Sequence, residues 1–132
     1  MSWIDALDGN HLLRTIFPDG DPPLDAIRVH EIQLHQDGPS LALRFDLSVY
    51  PKQPPAKWRA AGSNTVQIRL VADGVTDLVI RGWSLNNVGR LSIQCRSGLL
   101  EFETGTCNVT AKAEHLRVDT VTAHRNDERA VE

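Results

Sequence analysis

The chain lacks an excess of either charge, a long apolar run, a cysteine framework and any catalytic signature. Fourteen Lys and Arg against 17 Asp and Glu leave a formal charge of −3. No basic stripe stands out, so phosphate-backbone binding has no electrostatic footprint and nucleic acid is not an expected partner. No apolar stretch approaches the ~20 residues that cross a bilayer as a helix, and no membrane association is expected. The opening Met1-Ser2-Trp3-Ile4-Asp5 lacks the basic and apolar regions of a secretion signal, which makes the cytoplasm the expected location. No HExxH, CxxC, GxSxG or phosphate-binding glycine loop occurs, so no catalytic residue, metal ligand or cofactor is expected.

What is present is the material of a globular fold. A chain of 132 residues with 41% apolar and 23% charged side chains fits one domain. Folding should bury roughly two-thirds of its unfolded surface. The expected domain is 1–123, with a frayed polar tail at 124–132. The first seventeen residues read as interrupted helix. Trp3, Ile4 and Leu7 share a face, Gly9 breaks the run, and Asn10 caps a second stretch with Leu12, Leu13, Ile16 and Phe17 as its stripe.

From Ile27 the period is two. The apolar phase runs Ile27, Val29, then Ile32, Leu34, and the change of parity across His30-Glu31 predicts a β-bulge. Leu41, Leu43, Phe45, Leu47 and Val49 alternate without a fault, and Gln36-Asp37-Gly38-Pro39 joins the two strands as a hairpin. Residues 51–62, with three prolines and Trp58, read as an ordered loop.

Later turns predict a register. A Ser97-Gly98 loop sets Cys95 opposite Leu100 and Ile93 opposite Phe102. Thr104-Gly105 sets Phe102 opposite Cys107, and Glu114-His115 sets Ala113 opposite Leu116. Upstream, Asp73-Gly74-Val75 sets Val66, Ile68 and Leu70 against Gly82, Ile80 and Leu78. The expected fold is α+β and mainly β: a short N-terminal helix, then an antiparallel meander of about eight strands, as a twisted sheet, two-layer sandwich or partial barrel. That register holds Cys95 and Cys107 roughly 12 Å apart, beyond disulfide reach, and predicts two free, buried thiols.

The polar residues offer little chemistry. His11, His30, His35, His115 and His124 follow no ligand spacing. Glu101 and Glu103 share a strand face at about 7 Å, a separation seen in glycosidase pairs and also on any solvated strand. The outward phase places Arg44, Asp46, Tyr50, Gln67, Arg69, Arg81 and Trp83 away from the core. Tyr, Trp and Arg are the types enriched in interface hot spots. Tyr50, Lys57, Arg69, Arg81 and Trp83 are therefore the candidate partner-binding residues.

Several words of the chain, in order, resemble the bacterial immunity protein 50 family of polymorphic toxin systems. They are Asn10-His11-Leu12-Leu13-Arg14-Thr15-Ile16-Phe17, Pro23-Leu24-Asp25-Ala26, Asp37-Gly38-Pro39, Pro54-Pro55-Ala56-Lys57-Trp58, Asn64-Thr65-Val66-Gln67 and Gly82-Trp83. One departure is that Leu24 runs straight into Asp25, where a histidine is expected beside the aspartate. The resemblance implies a cytosolic protein that binds and blocks a cognate toxin domain in the producing cell, without catalysis or cofactor. A monomer or weak homodimer is expected. A small-molecule-binding β-domain, with its pocket between sheet and helix, is the alternative; an enzyme using Glu101 and Glu103 or His30 is a third.

Overall fold

The computed structural model describes residues 2–94 and 97–127. The elements are α1 (His11–Ile16), β1 (Ile27–His35), β2 (Ser40–Asp46), α2 (Ala56–Ala60), β3 (Thr65–Asp73), β4 (Thr76–Arg81), β5 (Val88–Gln94), β6 (Leu99–Glu103), β7 (Asn108–Lys112) and β8 (His115–His124). The strands form one antiparallel sheet in the order β4-β7-β6-β5-β1-β2-β3-β8, and it does not close into a barrel. No helix among the described residues is long and apolar enough to cross a membrane.

Two four-stranded halves make up this sheet. One holds β1, β2, β3 and β8, and the other β5, β6, β7 and β4. On the β1–β5 side Ile27 stands opposite Gly89 and Arg28 opposite Val88, and the Val29 N–H donates to the Asn87 carbonyl and the Leu91 N–H to the Leu24 carbonyl beside them. A Cβ on Gly89 would lie 2.0 Å from the Glu103 carbonyl oxygen of the neighbouring β6, so β5 admits no side chain at that position. Phe45, Ile68 and Leu70 from one half and Leu91, Leu100 and Phe102 from the other meet in a single apolar core, with Ile4, Leu7 and Leu13 laid over it.

The mainly-β fold and the eight antiparallel strands agree with the alternation in the sequence. The meander holds only within each half, as β1-β2-β3 and β5-β6-β7. The hairpins expected at Asp73-Gly74-Val75 and Glu114-His115 do not form, because β3 pairs with β8 and β4 pairs with β7. The backbone groups at both points are engaged elsewhere. The Val75 N–H donates to the Pro39 carbonyl at 3.0 Å, and Glu114 N–H donates to the Asp73 carbonyl at 2.9 Å. The two segments are instead adjacent crossings between the halves.

Two hairpins form in a register shifted by two residues. Ile93 faces Leu100 and Leu91 faces Phe102, not Cys95 with Leu100 and Ile93 with Phe102. Phe102 faces Val109, not Cys107. At the second turn the Thr104 hydroxyl accepts from the Thr106 and Cys107 N–H groups at 3.0 and 2.8 Å, and Thr104 N–H donates to the Cys107 carbonyl. These bonds organise a four-residue loop in place of two. A shift of two preserves parity, so apolar still meets apolar. Cys107 is free and buried; Cys95 lies outside the described residues.

Local details follow the same division. The predicted bulge is present between Val29 and Glu31. Helix α1 begins after Asn10 as expected, but the Asn10 side chain does not cap it and donates instead to the Ile4 carbonyl at 2.8 Å. Residues 3–7 form turns rather than helix, and Leu12 is exposed. The proline-rich segment contains α2, whose Trp58 packs into the core while Lys57 is exposed. At the other end β8 continues through His124, and Asn126 exchanges two hydrogen bonds with the Asn64 side chain.

Candidate interaction surface

The outer face of the β1-β2-β3-β8 half is polar in a defined pattern. Cross-strand pairing lays out the rows Arg28–Asp46–Gln67–Thr122, Glu31–Arg44–Arg69–Thr120 and His35–Ser40–Asp73–His115. Alternation alone gives the middle strands this face. Each flanking strand adds one residue through a bulge: His30 in β1, and Asp119 in β8 at the shift between Arg69 and Leu70. A bulge turns an extra side chain to the same side of a sheet.

Asp46 is the hub. It is 2% exposed. Its Oδ2 lies 2.8 Å from His30 Nε2, and its Oδ1 accepts from Gln67 Nε2 at 3.0 Å and lies 3.1 Å from His124 Nε2. Burial pushes the Asp46 carboxyl up, but the hydrogen bonds from His30, Gln67 and His124 outweigh it and hold the pKa below the ordinary value. Around this hub Arg44 reaches Glu31 and Gln67, and Arg69 reaches Asp119 at 2.6 Å and the Gln33 amide. Arg117 reaches Asp73 at 2.8 Å and Asp119 at 3.7 Å. These charges hold one another in place. Their half-exposed ion pairs add little stability, but they fix side chains that would otherwise sample many rotamers.

The candidate residues named from sequence do not share one surface. Arg69 belongs to the network above. Lys57 is exposed on α2, whose trailing Gly62 carbonyl accepts from Arg125 beside His124, so α2 borders the same end of this face. Tyr50 packs on Trp58 with ring centroids 6.5 Å apart. Its hydroxyl is buried without a hydrogen-bond partner among the described residues, and burial pushes its pKa up. Arg81 and Trp83 are exposed at β4, six strands away from β3 in the sheet order. Arg44, Asp46 and Gln67 do face outward as alternation requires. His30, His124 and Asp119 were missed as partners because their contacts span up to 78 residues of sequence. The His30 bulge was the one legible signal.

Other features offer less. A cleft of about 780 Å³ runs between the N-terminal segment, the loop at Asp21 and β5. Its charges satisfy one another: Arg14 bonds Asp5, Asp21 and Ser2, and Asp21 also accepts from Ser2 and the Ile4 N–H. It is an open groove and not an apolar cavity beneath a helix. Glu101 lies between Ser92 and Thr110, and Glu103 between Arg90 and Asn108, as ordinary cross-strand neighbours. No group of three His, Cys, Asp or Glu among the described residues is arranged to hold a metal ion.

The chain matches no curated protein and no solved structure. The family model described as Immunity protein 50 matches residues 9–124, a span from just before α1 to the last residue of β8. The sheet, its bulges and the Asp46 network all fall inside that span, and the chain belongs to the immunity protein 50 family.

Proposed function

We propose that this protein binds a cognate toxin domain in the cytoplasm of the cell that makes it and blocks the toxin by occlusion, without catalysis. The contact surface in this reading is the outer face of β1, β2, β3 and β8, extended at one end by Lys57. The observation that carries it, within an immunity family, is the fixing of basic side chains in two adjoining clusters: His30, His124 and Arg44 through Asp46, Gln67 and Glu31, and Arg69 and Arg117 through Asp119 and Asp73. A charged face already held in one arrangement loses little rotamer entropy when a partner docks, so more of its interaction energy appears as affinity. Charged patterns of this kind also select a partner through complementarity and speed encounter. A stable complex needs about 1,600 Å² of total buried surface, roughly half from each partner, which a four-stranded face can supply.

The test is co-expression with the toxin domain encoded beside this gene. Growth rescue and a complex that survives gel filtration are the expected results. Arg69→Glu should weaken rescue while the circular dichroism spectrum stays unchanged. A protein that neither rescues growth nor forms a complex refutes the reading.

A further inference from the structure

The outer face of β1, β2, β3 and β8 holds one pair of side chains whose bonding is only half used. Asp46 is buried, and its hydrogen bonds keep the carboxyl ionised despite the burial. An ionised carboxylate only accepts. His30 Nε2 lies 2.8 Å from Oδ2 and His124 Nε2 lies 3.1 Å from Oδ1, so each Nε2 carries the proton of its contact. A neutral imidazole has one protonated nitrogen and one acceptor. Asp46 therefore selects the tautomer of both neutral rings and leaves each Nδ1 with a lone pair.

Those lone pairs are unused within the chain. Neither Nδ1 has a hydrogen-bond partner among the described residues. The two side chains are 33% and 40% exposed. The Tyr50 hydroxyl is the one buried side-chain N or O atom without a partner among the described residues, so the His124 Nδ1 is open to solvent. Other acceptors on this face already serve arginines. Glu31 and the Gln67 side-chain carbonyl accept from Arg44, and Asp119 and the Gln33 side-chain carbonyl accept from Arg69.

We propose that His30 and His124 are the recognition centre of this face, where both Nδ1 atoms accept hydrogen bonds from an arginine or lysine of the toxin domain. The proposal rests on the toxin-binding reading above. A cation is the donor that fits. With both rings neutral, the group formed by Asp46, Gln67 and the two imidazoles carries a net negative charge. The arginines beside it are offset, Arg44 by Glu31 and Arg125 by Asp127. A carboxylate on one side of an imidazole strengthens the nitrogen on the other as an electron donor, as it does for histidines that bind metals. The Asp46 carboxylate is itself too buried for a partner to touch, so its charge is read through the rings.

The first test needs the full chain alone. Long-range proton–nitrogen NMR spectra at pH 8, where histidine is ordinarily neutral, should show both rings as Nε2–H tautomers. An Nδ1–H tautomer at either ring overturns the proposal. Adding the toxin domain encoded beside this gene should shift both Nδ1 resonances upfield, and unmoved resonances also overturn it. His30→Gln and His124→Gln each keep an N–H near the Nε2 position and remove the Nδ1 acceptor. The double variant should melt close to wild type yet bind the toxin at least about tenfold more weakly. Each single variant should lose less, in the same direction. In double-mutant cycles, at least one toxin arginine or lysine changed to alanine should lose its effect in the double-variant background. Wild-type affinity in the glutamine variants, or additive losses for every toxin cation, sinks the proposal while toxin binding stands. A wild-type chain that forms no complex removes both.

Discussion

The two halves of this sheet share a core but present opposite outer surfaces. On β1-β2-β3-β8 nearly every charge has a local partner, the bulges at His30 and Asp119 each add a member to one of two adjoining clusters, and Asp8 bridges the start of the outer edge at Arg117. On β4-β7-β6-β5 the outer edge is apolar and, among the described residues, has no strand beside it and is flanked by an acid and a base without ion-pair partners. Both surfaces cost free energy to expose, for different reasons: a polar face must keep its hydrogen bonds, an apolar edge orders water. The first surface is paired within itself, and the second leaves apolar side chains exposed.

The contact between β5 and β6 is where the second half can be broken outright. Gly89→Ala drives a methyl group into the Glu103 carbonyl of the neighbouring strand, which backbone movement alone can relieve. We expect a loss of about 3 kcal/mol in urea unfolding. A wild-type midpoint would show that β5 and β6 separate at this point without cost.

Next in size is the hub of the polar half. Asp46→Ala removes the shared acceptor of His30, Gln67 and His124 and should cost about 2 kcal/mol near neutral pH. Because the folded pKa of Asp46 is depressed, its contribution is present above the unfolded value of about 3.9 and disappears as pH falls through the folded value. The gap between wild type and Asp46→Asn should therefore narrow steadily as acid is added below about pH 4. A gap that does not change with pH would mean that the charge of Asp46 is irrelevant to the fold.

The smallest effect has the opposite sign. Tyr50→Phe deletes a buried hydroxyl that has no partner among the described residues, so the variant should be more stable by about 1 kcal/mol. A destabilised variant would show that the hydroxyl is bonded after all, through water or an adjusted loop.

Much of this was legible from the chain, and the limits have a common origin. The outward set Arg44, Asp46, Gln67 and Arg69 follows from alternation, and so does the bulge at His30, because parity is a property of neighbouring residues. The register at the two turns after β5 and β6 was not legible, since a two-residue slip leaves every apolar pair intact. Nor did the turns at Asp73-Gly74-Val75 and Glu114-His115 reveal that they cross between halves. The same residues can close a hairpin or pass between sheets, and the choice depends on which distant carbonyl takes each N–H.

The sequence by itself determined the strands, the phase of each face, the bulge in β1 and membership of an immunity family, because each is written in local periodicity or in ordered words. Only the tertiary structure decided that β8 returns to β3, that His124 and Asp119 complete the network around Asp46 and Arg69, and that β4 is left at an open edge. Those outcomes rest on contacts between residues far apart in the chain. They are fixed by how a single core is best enclosed, and no local pattern specifies that.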